Sequence, residues 1–300
     1  MSLRAELLRF ALRRFFKSRG DRPPDIASIR QNLEGLKSFI PGPAKETVAE
    51  RITAGGVPAI AVSTPRSRRD CHVLYLHGGG YVYGSPSLYR DFIWRIADAA
   101  RARVLCLAYR LAPEHPFPAA VDDAVAGYRA LLTQGADPRR IAIMGDSAGG
   151  GLAFGTLLQL RDQRDALPAA AVALSPWTDL TLGNPSIHRN ADTDPMINVR
   201  HAGCFAEWYL GGADPRQPYA SPLHGDVAGL PASLILVGQD EVLHDDATLM
   251  ASRLRTAGCP VELDVRARMP HVWPLFARVL PEGRAAIERI GTFLQARLQS

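Results

Sequence analysis

From residue 45 onward, short apolar runs alternate with segments of helical period. The runs are Val73–Leu76, Val104–Tyr109, Ile141–Met144, Ala170–Leu174, Leu234–Val237 and Val261–Val265. Helical segments lie near 87–101, 119–134, 148–164, 245–257 and 283–298. Unbroken apolar runs are what strands buried on both faces require, and strands separated by helices pair in parallel. Residues 47–62 supply two leading antiparallel strands. The pattern predicts an α/β protein built on a mostly parallel, eight-stranded sheet with helices on both faces. The stretch 180–222 breaks the alternation. It is rich in Pro, Asn, Asp and Gly and holds one helix candidate, Val199–Leu210. An insertion of this kind is expected to form a lid or cap.

Before residue 45 the pattern differs. Leu3, Leu7, Leu8, Ala11, Leu12 and Phe15 recur at helical spacing over 3–16, with arginines on the other side. We expect this stripe to cover an apolar pocket elsewhere in the chain. Two readings compete with that one: a helix lying on a membrane surface, and a transit peptide, which Glu6 and the scarcity of hydroxyl residues oppose. Asp21 to Pro24 should break the helix, Ile26–Phe39 reads as a second one, and Pro41-Gly42-Pro43 marks a boundary. The expected organisation is therefore 1–45 as the N-terminal part of a helical cap and 46–300 as an α/β domain, with 180–222 inserted into it as the rest of the cap.

Composition narrows the function classes. With 300 residues, 47% of them hydrophobic and 22% charged, the chain is ordinary for a globular protein. No apolar run approaches the ~18 residues of a membrane span. The net charge of +5 is confined to residues 1–30, and the remaining 270 residues are balanced. A duplex-binding protein would carry its basic footprint on the folded domain, so no nucleic-acid partner is expected. Cys71, Cys106, Cys204 and Cys259 are scattered without a C-x-x-C pair or zinc spacing. Free thiols and the lack of a secretory h-region give a cytoplasmic expectation.

The chemistry concentrates in two glycine-rich turns. Gly145-Asp146-Ser147-Ala148-Gly149 follows the strand run Ile141–Met144 and opens a helix. That strand–turn–helix context is what a nucleophile elbow needs: small residues allow the turn, the Ser147 hydroxyl projects above the sheet, and the helix N-terminus favours negative charge. His77-Gly78-Gly79-Gly80 follows Val73–Leu76. Consecutive glycines let backbone N–H groups approach a substrate oxygen and hold an oxyanion. Neither phosphate-loop pattern is present. His77 precedes the glycines at the strand end and is expected to be structural.

His77-Gly-Gly-Gly-Tyr81, Tyr109-Arg-Leu-Ala-Pro-Glu-His-Pro-Phe-Pro-Ala-Ala120 and Gly145-Asp-Ser-Ala-Gly-Gly150 resemble three hallmarks of the hormone-sensitive-lipase-like, bacterial family IV esterases of the α/β-hydrolase superfamily. The resemblance runs from about residue 70 to the C-terminus. It implies an α/β-hydrolase fold with a helical cap and the hydrolysis of short- to medium-chain acyl esters through an acyl-enzyme. It implies no metal or organic cofactor, and by analogy a homodimer joined through the last strand and helix.

Triad members follow in the order Ser, acid, His in this fold. His271, in Met269-Pro-His-Val-Trp273, comes after the last strand run and is the expected base. His244 reads as a solvated loop residue, and His188, His201 and His224 fall in the insertion. The acid must come from the loop after Leu234–Val237, where Asp240, Glu241, Asp245 and Asp246 are all candidates. The resemblance selects Asp240, in Asp240-Glu-Val-Leu243 where the family more often has D-P-L, and leaves Asp245 and Asp246 to cap the next helix. The oxyanion is assigned to the N–H groups of Gly78, Gly79 and Ala148. Asp146 is read as a hydrogen-bonding support beside the nucleophile. Gly80, Tyr81 and Trp177 are candidate substrate-binding residues, with Tyr83 beside them at the pocket mouth. Alternatives to a carboxylesterase are a lactone, amide or carbamate hydrolase on the same triad, a membrane-surface lipase, and a non-catalytic ligand receptor on the same scaffold.

Overall fold

The computed structural model describes residues 2–17, 24–38 and 40–298. Its centre is one eight-stranded sheet in the order β1-β2-β4-β3-β5-β6-β7-β8. The strands are β1 (Val48–Ala54), β2 (Val57–Ser63), β3 (Arg68–Leu76), β4 (Ala102–Leu107), β5 (Ile141–Asp146), β6 (Ala170–Leu174), β7 (Ala232–Gly238) and β8 (Val261–Arg266). β1 pairs with β2 and β2 with β4 antiparallel, and every other pairing is parallel. The two leading antiparallel strands lie where the sequence places them.

Nine α-helices are described: α1 (Leu3–Phe16), α2 (Ile26–Leu36), α3 (Arg90–Ala100), α4 (Ala119–Thr133), α5 (Ala148–Asp162), α6 (Ser186–Arg189), α7 (Val199–Leu210), α8 (His244–Thr256) and α9 (Pro281–Leu298). Strands β5 and β6 are buried along their whole length, because helices cover both faces. Side chains of α3 and α9 share one core cluster with Val73, Tyr75 and Val172, and those of α4, α5 and α8 share the opposite cluster with Leu74, Ile143 and Ile235. Alternating residues of one strand thus face opposite clusters, as the two-residue period of a strand demands. None of the described helices is long and apolar enough to cross a membrane.

The N-terminal region departs from expectation in two ways. Helix α2 ends at Leu36 rather than Phe39; residue 39 and most of the expected break, 21–23, lie outside the described residues. The orientation of α1 also differs from the sequence reading. Ala5 and Leu12 are its buried residues and Leu8 packs partly against the α9 side of the core, whereas Leu3 and Leu7 face solvent. The apolar positions of α1 are split between two faces, and a polar network fixes which one turns inward. The carboxylate of Glu282 accepts from the backbone N–H and the hydroxyl of Ser2, Arg268 makes two hydrogen bonds to Glu6, and Arg9 lies 3.3 Å from Asp240. Lys17 donates to the Ala191 carbonyl at 2.7 Å.

Candidate active site

Ser147 stands between β5 and α5 with φ +53° and ψ −123°. A non-glycine residue in the left-handed region is strained, and the flanking glycines make the turn possible. A Cβ on Gly145 would lie 2.1 Å from the Gly149 carbonyl oxygen, and one on Gly149 would lie 2.0 Å from that of Leu76. Every side chain larger than hydrogen is excluded at both positions. The Ser147 backbone is anchored on either side: its N–H donates to Leu174 O and its carbonyl accepts from Trp177 N.

The loop after β3 is held from below. The carboxylate of Asp146 accepts from the Tyr75 hydroxyl at 2.6 Å, the Gly78 N–H at 2.9 Å and the Tyr89 hydroxyl at 2.9 Å. Burial pushes the Asp146 carboxyl up to about 6, against the pull of those donors. The support expected of Asp146 is thereby located: it fastens the glycine loop to the strand that carries the nucleophile. The Gly78 N–H, engaged with Asp146 and 3.0 Å from the Tyr89 hydroxyl, points inward and is not open to substrate. This corrects the assignment of Gly78 to the oxyanion site. The hydrogen bonds among the described residues leave the N–H groups of Gly79, Gly80 and Ala148 unused, and Gly80 lines the cavity described below. His77 is buried, stacked 4.3 Å from Tyr109, and held by burial to about 4. It is a neutral structural group, as expected.

The carboxylate that meets His271 is not the one selected from the sequence. β7 ends in a turn in which Glu241 N–H donates to Gly238 O. That turn carries the Glu241 side chain back toward the sheet and leaves Asp240 at its outer corner. Glu241 is fully buried, and its Oε2 lies 2.7 Å from His271 Nδ1. Its other oxygen accepts from the Ser175 hydroxyl at 2.8 Å and from Gly238 N–H. Asp240 instead faces Arg9 of α1. The residue in contact with His271 is thus Glu241, and Asp240 is a surface partner of the N-terminal helix. A Cβ on Gly238 would lie 2.3 Å from Met269 O, so this glycine lets the acid and base loops meet.

His271 is 5% exposed and is followed by Val272 in the left-handed region, φ +51°. Burial alone would lower its pKa, but the Glu241 carboxylate outweighs burial and the net shift is upward. Burial pushes Glu241 up, opposed by the hydrogen bond to His271. Ser175 was not singled out by the sequence reading. Its hydroxyl donates to Glu241 and accepts from Val272 N–H at 3.1 Å, so one side chain ties the acid loop to the base loop. The available signal was a small hydroxyl residue directly after β6, the strand beside the nucleophile's.

Ser147 and His271 line one cavity of about 400 Å³, within the range of small-molecule sites. Its walls come from the glycine loop, the two N-terminal helices, the 180–222 segment and the loop after β7, including Phe16, Ile29, Ile187, Phe205 and Leu243. Trp177 and Tyr83 line it as anticipated, and so does His201. Tyr81 does not. Its ring is buried in a stack on Tyr209, with centroids 3.7 Å apart, and supports the wall from behind. His188 is exposed, and His224 contacts Asp179 at 3.0 Å. His244 is half-buried at the start of α8 beside Asp245 rather than in a solvated loop.

Asp245 and Asp246 reach across to the insertion instead of capping α8. Asp245 accepts from Ser186 N–H and Arg189. Asp246, fully buried and pushed by burial up to about 7, accepts from Thr178 N–H, Asp179 N–H and the Asn184 amide. The insertion in turn grips the acid loop: the Asn190 amide donates to Glu241 O, and Asp194 accepts from Val242 N–H.

Residues 73–275 match the model of an α/β-hydrolase fold family. Over all but 1% of both chains, the structure superposes with a TM-score of 0.94 on the crystal structure of an esterase from the bacterial hormone-sensitive lipase family, at 44% sequence identity. The chain belongs to the bacterial hormone-sensitive lipase family. It is 51% identical to an acetyl-hydrolase of Streptomyces hygroscopicus over 223 residues, 74% of this chain and 75% of the relative. It is also 35% identical to an ethyl acetate hydrolase of Pseudomonas putida over 233 residues, 75% of this chain and 73% of the relative. This family member is accordingly an enzyme of the carboxylesterase and lipase type.

Proposed function

We propose that the enzyme hydrolyses short- to medium-chain acyl esters through Ser147, His271 and Glu241, by way of an acyl-enzyme. The observation that carries this reading is the Glu241–His271 contact beside a strained serine in one apolar cavity. The similarity to an acetyl-hydrolase and an ethyl acetate hydrolase supports short acyl groups.

His271 Nε2 takes the proton of Ser147 Oγ as that oxygen attacks the ester carbonyl carbon. Glu241 holds the ring through Nδ1–H, fixes the tautomer and stabilises the imidazolium. The N–H groups of Gly79, Gly80 and Ala148 converge on the developing oxyanion, and the N-terminus of α5 adds its positive end. The alcohol departs with the proton from His271. Water, deprotonated by the same base, then releases the acid. Helices α1 and α2 and the 180–222 segment act as a cap that shapes the acyl site and excludes water.

A panel of 4-nitrophenyl esters of rising acyl length, run beside Ser147→Ala, tests the reading. We expect a maximum at short to medium acyl groups and no turnover above background for the variant. A variant that retains turnover would place the nucleophile elsewhere.

A further inference from the structure

We propose that the outer face of α1 docks the enzyme on an anionic lipid surface. The inner face of the helix is already occupied: Ala5 and Leu12 are buried, and Ser2, Glu6, Arg9 and Lys17 contact the catalytic domain and the insertion. At 100° per residue the opposite direction carries Leu3, Leu7, Phe10 and Arg14, flanked by Arg4 and Arg13. Leu3, Leu7 and Phe10 are 76%, 62% and 71% exposed. Folded surfaces seldom present three large apolar side chains in one contiguous ridge.

The charge around the ridge selects the occupant. Arg4, Arg13 and Arg14 are exposed beside it, and Glu6, the acidic residue of this helix, is engaged with Arg268. An apolar ridge edged with guanidinium groups fits acyl chains beneath anionic headgroups. A second copy of the same face would set three arginines against three arginines, since a two-fold contact repeats each patch on itself. The position matters as well. Phe15 and Phe16, at the end of the same helix, line the cavity that holds Ser147 and His271. A helix lying flat on lipid therefore holds one wall of that cavity close to the surface where lipid esters reside. This deepens the ester-hydrolase reading by naming how the substrate is presented.

The test separates the two by using Ser147→Ala protein, in which binding is read without hydrolysis. It is floated with phosphatidylcholine vesicles and with phosphatidylcholine–phosphatidylglycerol vesicles. We expect partition into the anionic vesicles to exceed that into neutral ones by at least about tenfold and to weaken with salt. Arg4→Gln/Arg13→Gln/Arg14→Gln should lower the anionic partition on the order of a hundredfold, roughly fivefold per arginine. Leu7→Ser/Phe10→Ser should lower partition at low and high salt alike. With Ser147 intact, both sets should hydrolyse a water-soluble ester at the parental rate. Equal partition into the two vesicle types, partition unaffected by the ridge substitutions, or a dimer that those substitutions dissociate would each overturn the proposal.

Discussion

Glu241→Gln and Asp240→Asn, compared side by side, put the active-site assignment at greatest risk. Glu241 is fully buried and accepts from His271, Ser175 and Gly238. A glutamine there turns an amide donor toward His271 or Ser175 and disfavours the tautomer that can accept the serine proton. Amidation of the orienting carboxylate in a serine-hydrolase triad costs about 10⁴ in kcat, or ~5 kcal/mol at 1.36 kcal/mol per decade. Asp240 is part-exposed and faces Arg9, an ion pair worth about 0–1 kcal/mol, so its amide should change kcat by less than about fivefold.

The acid limb of the kcat/KM profile supplies an independent readout. His271 must be neutral to act, and its pKa is raised by Glu241. Activity in the parent should therefore appear, as pH rises, above the usual imidazole range. In Glu241→Gln the largest upward pull is gone and only Asp194 and Asp146 oppose burial, so the residual activity should begin at lower pH. In Asp240→Asn the limb should stay in place. The assay is steady-state hydrolysis of a short-chain 4-nitrophenyl ester from pH 5 to 9, with circular dichroism to establish that both variants fold. A large loss in Asp240→Asn with Glu241→Gln near parental activity would refute the argument from turn geometry.

Other consequences can be checked with single substitutions. Asp146→Asn weakens the anchor of the glycine loop, so kcat should fall by about 10–100-fold with KM little changed, one oxyanion donor being worth more than that. Asp246 has a folded-state pKa of about 7, above its unfolded value. The stability tied to its neutral form is thus complete below the unfolded pKa and lost as pH rises toward and through 7. Thermal melts should show Tm falling across that window, and the fall should flatten in Asp246→Asn. Gly149→Ala forces a methyl group against the Leu76 carbonyl, and soluble expression should collapse. Ser175→Ala removes the link between the acid and base loops; kcat should drop by about tenfold or more, while a fluorophosphonate probe still labels Ser147.

The sheet was legible because each buried strand announces itself as an apolar run and each glycine-rich turn follows one. The place of Ser147 was legible for the same reason, since it directly follows β5, and His271 falls in the loop between β8 and α9. The carboxylate that contacts His271 was missed by one residue. Strand position says which loop supplies it, but the choice between Asp240 and Glu241 depends on the phase of a four-residue turn, and composition does not encode that phase. The direction of the Gly78 N–H was missed on similar grounds, since it turns inward to Asp146, a partner 68 positions along the chain. The face of α1 was misread because burial of its stripe was assumed, whereas its contacts with Glu282, Arg268 and Asp240 decide which side turns inward.

The ion pairs of α1 bear on heat tolerance. Arg9 holds the residue next to Glu241, and Glu6 holds Arg268, three residues before His271. The Glu241–His271 pair is thus steadied from outside by a helix that buries only two of its own side chains. Such an element opens at a small fraction of the free energy that unfolds the sheet. Warming should therefore release the helix while the sheet remains intact, loosening both loops at once. The temperature at which hydrolysis fades would then lie below the melting temperature, and cooling would restore it. Thermal endurance of activity would be a property of the first sixteen residues, and thermal endurance of the fold a property of the rest.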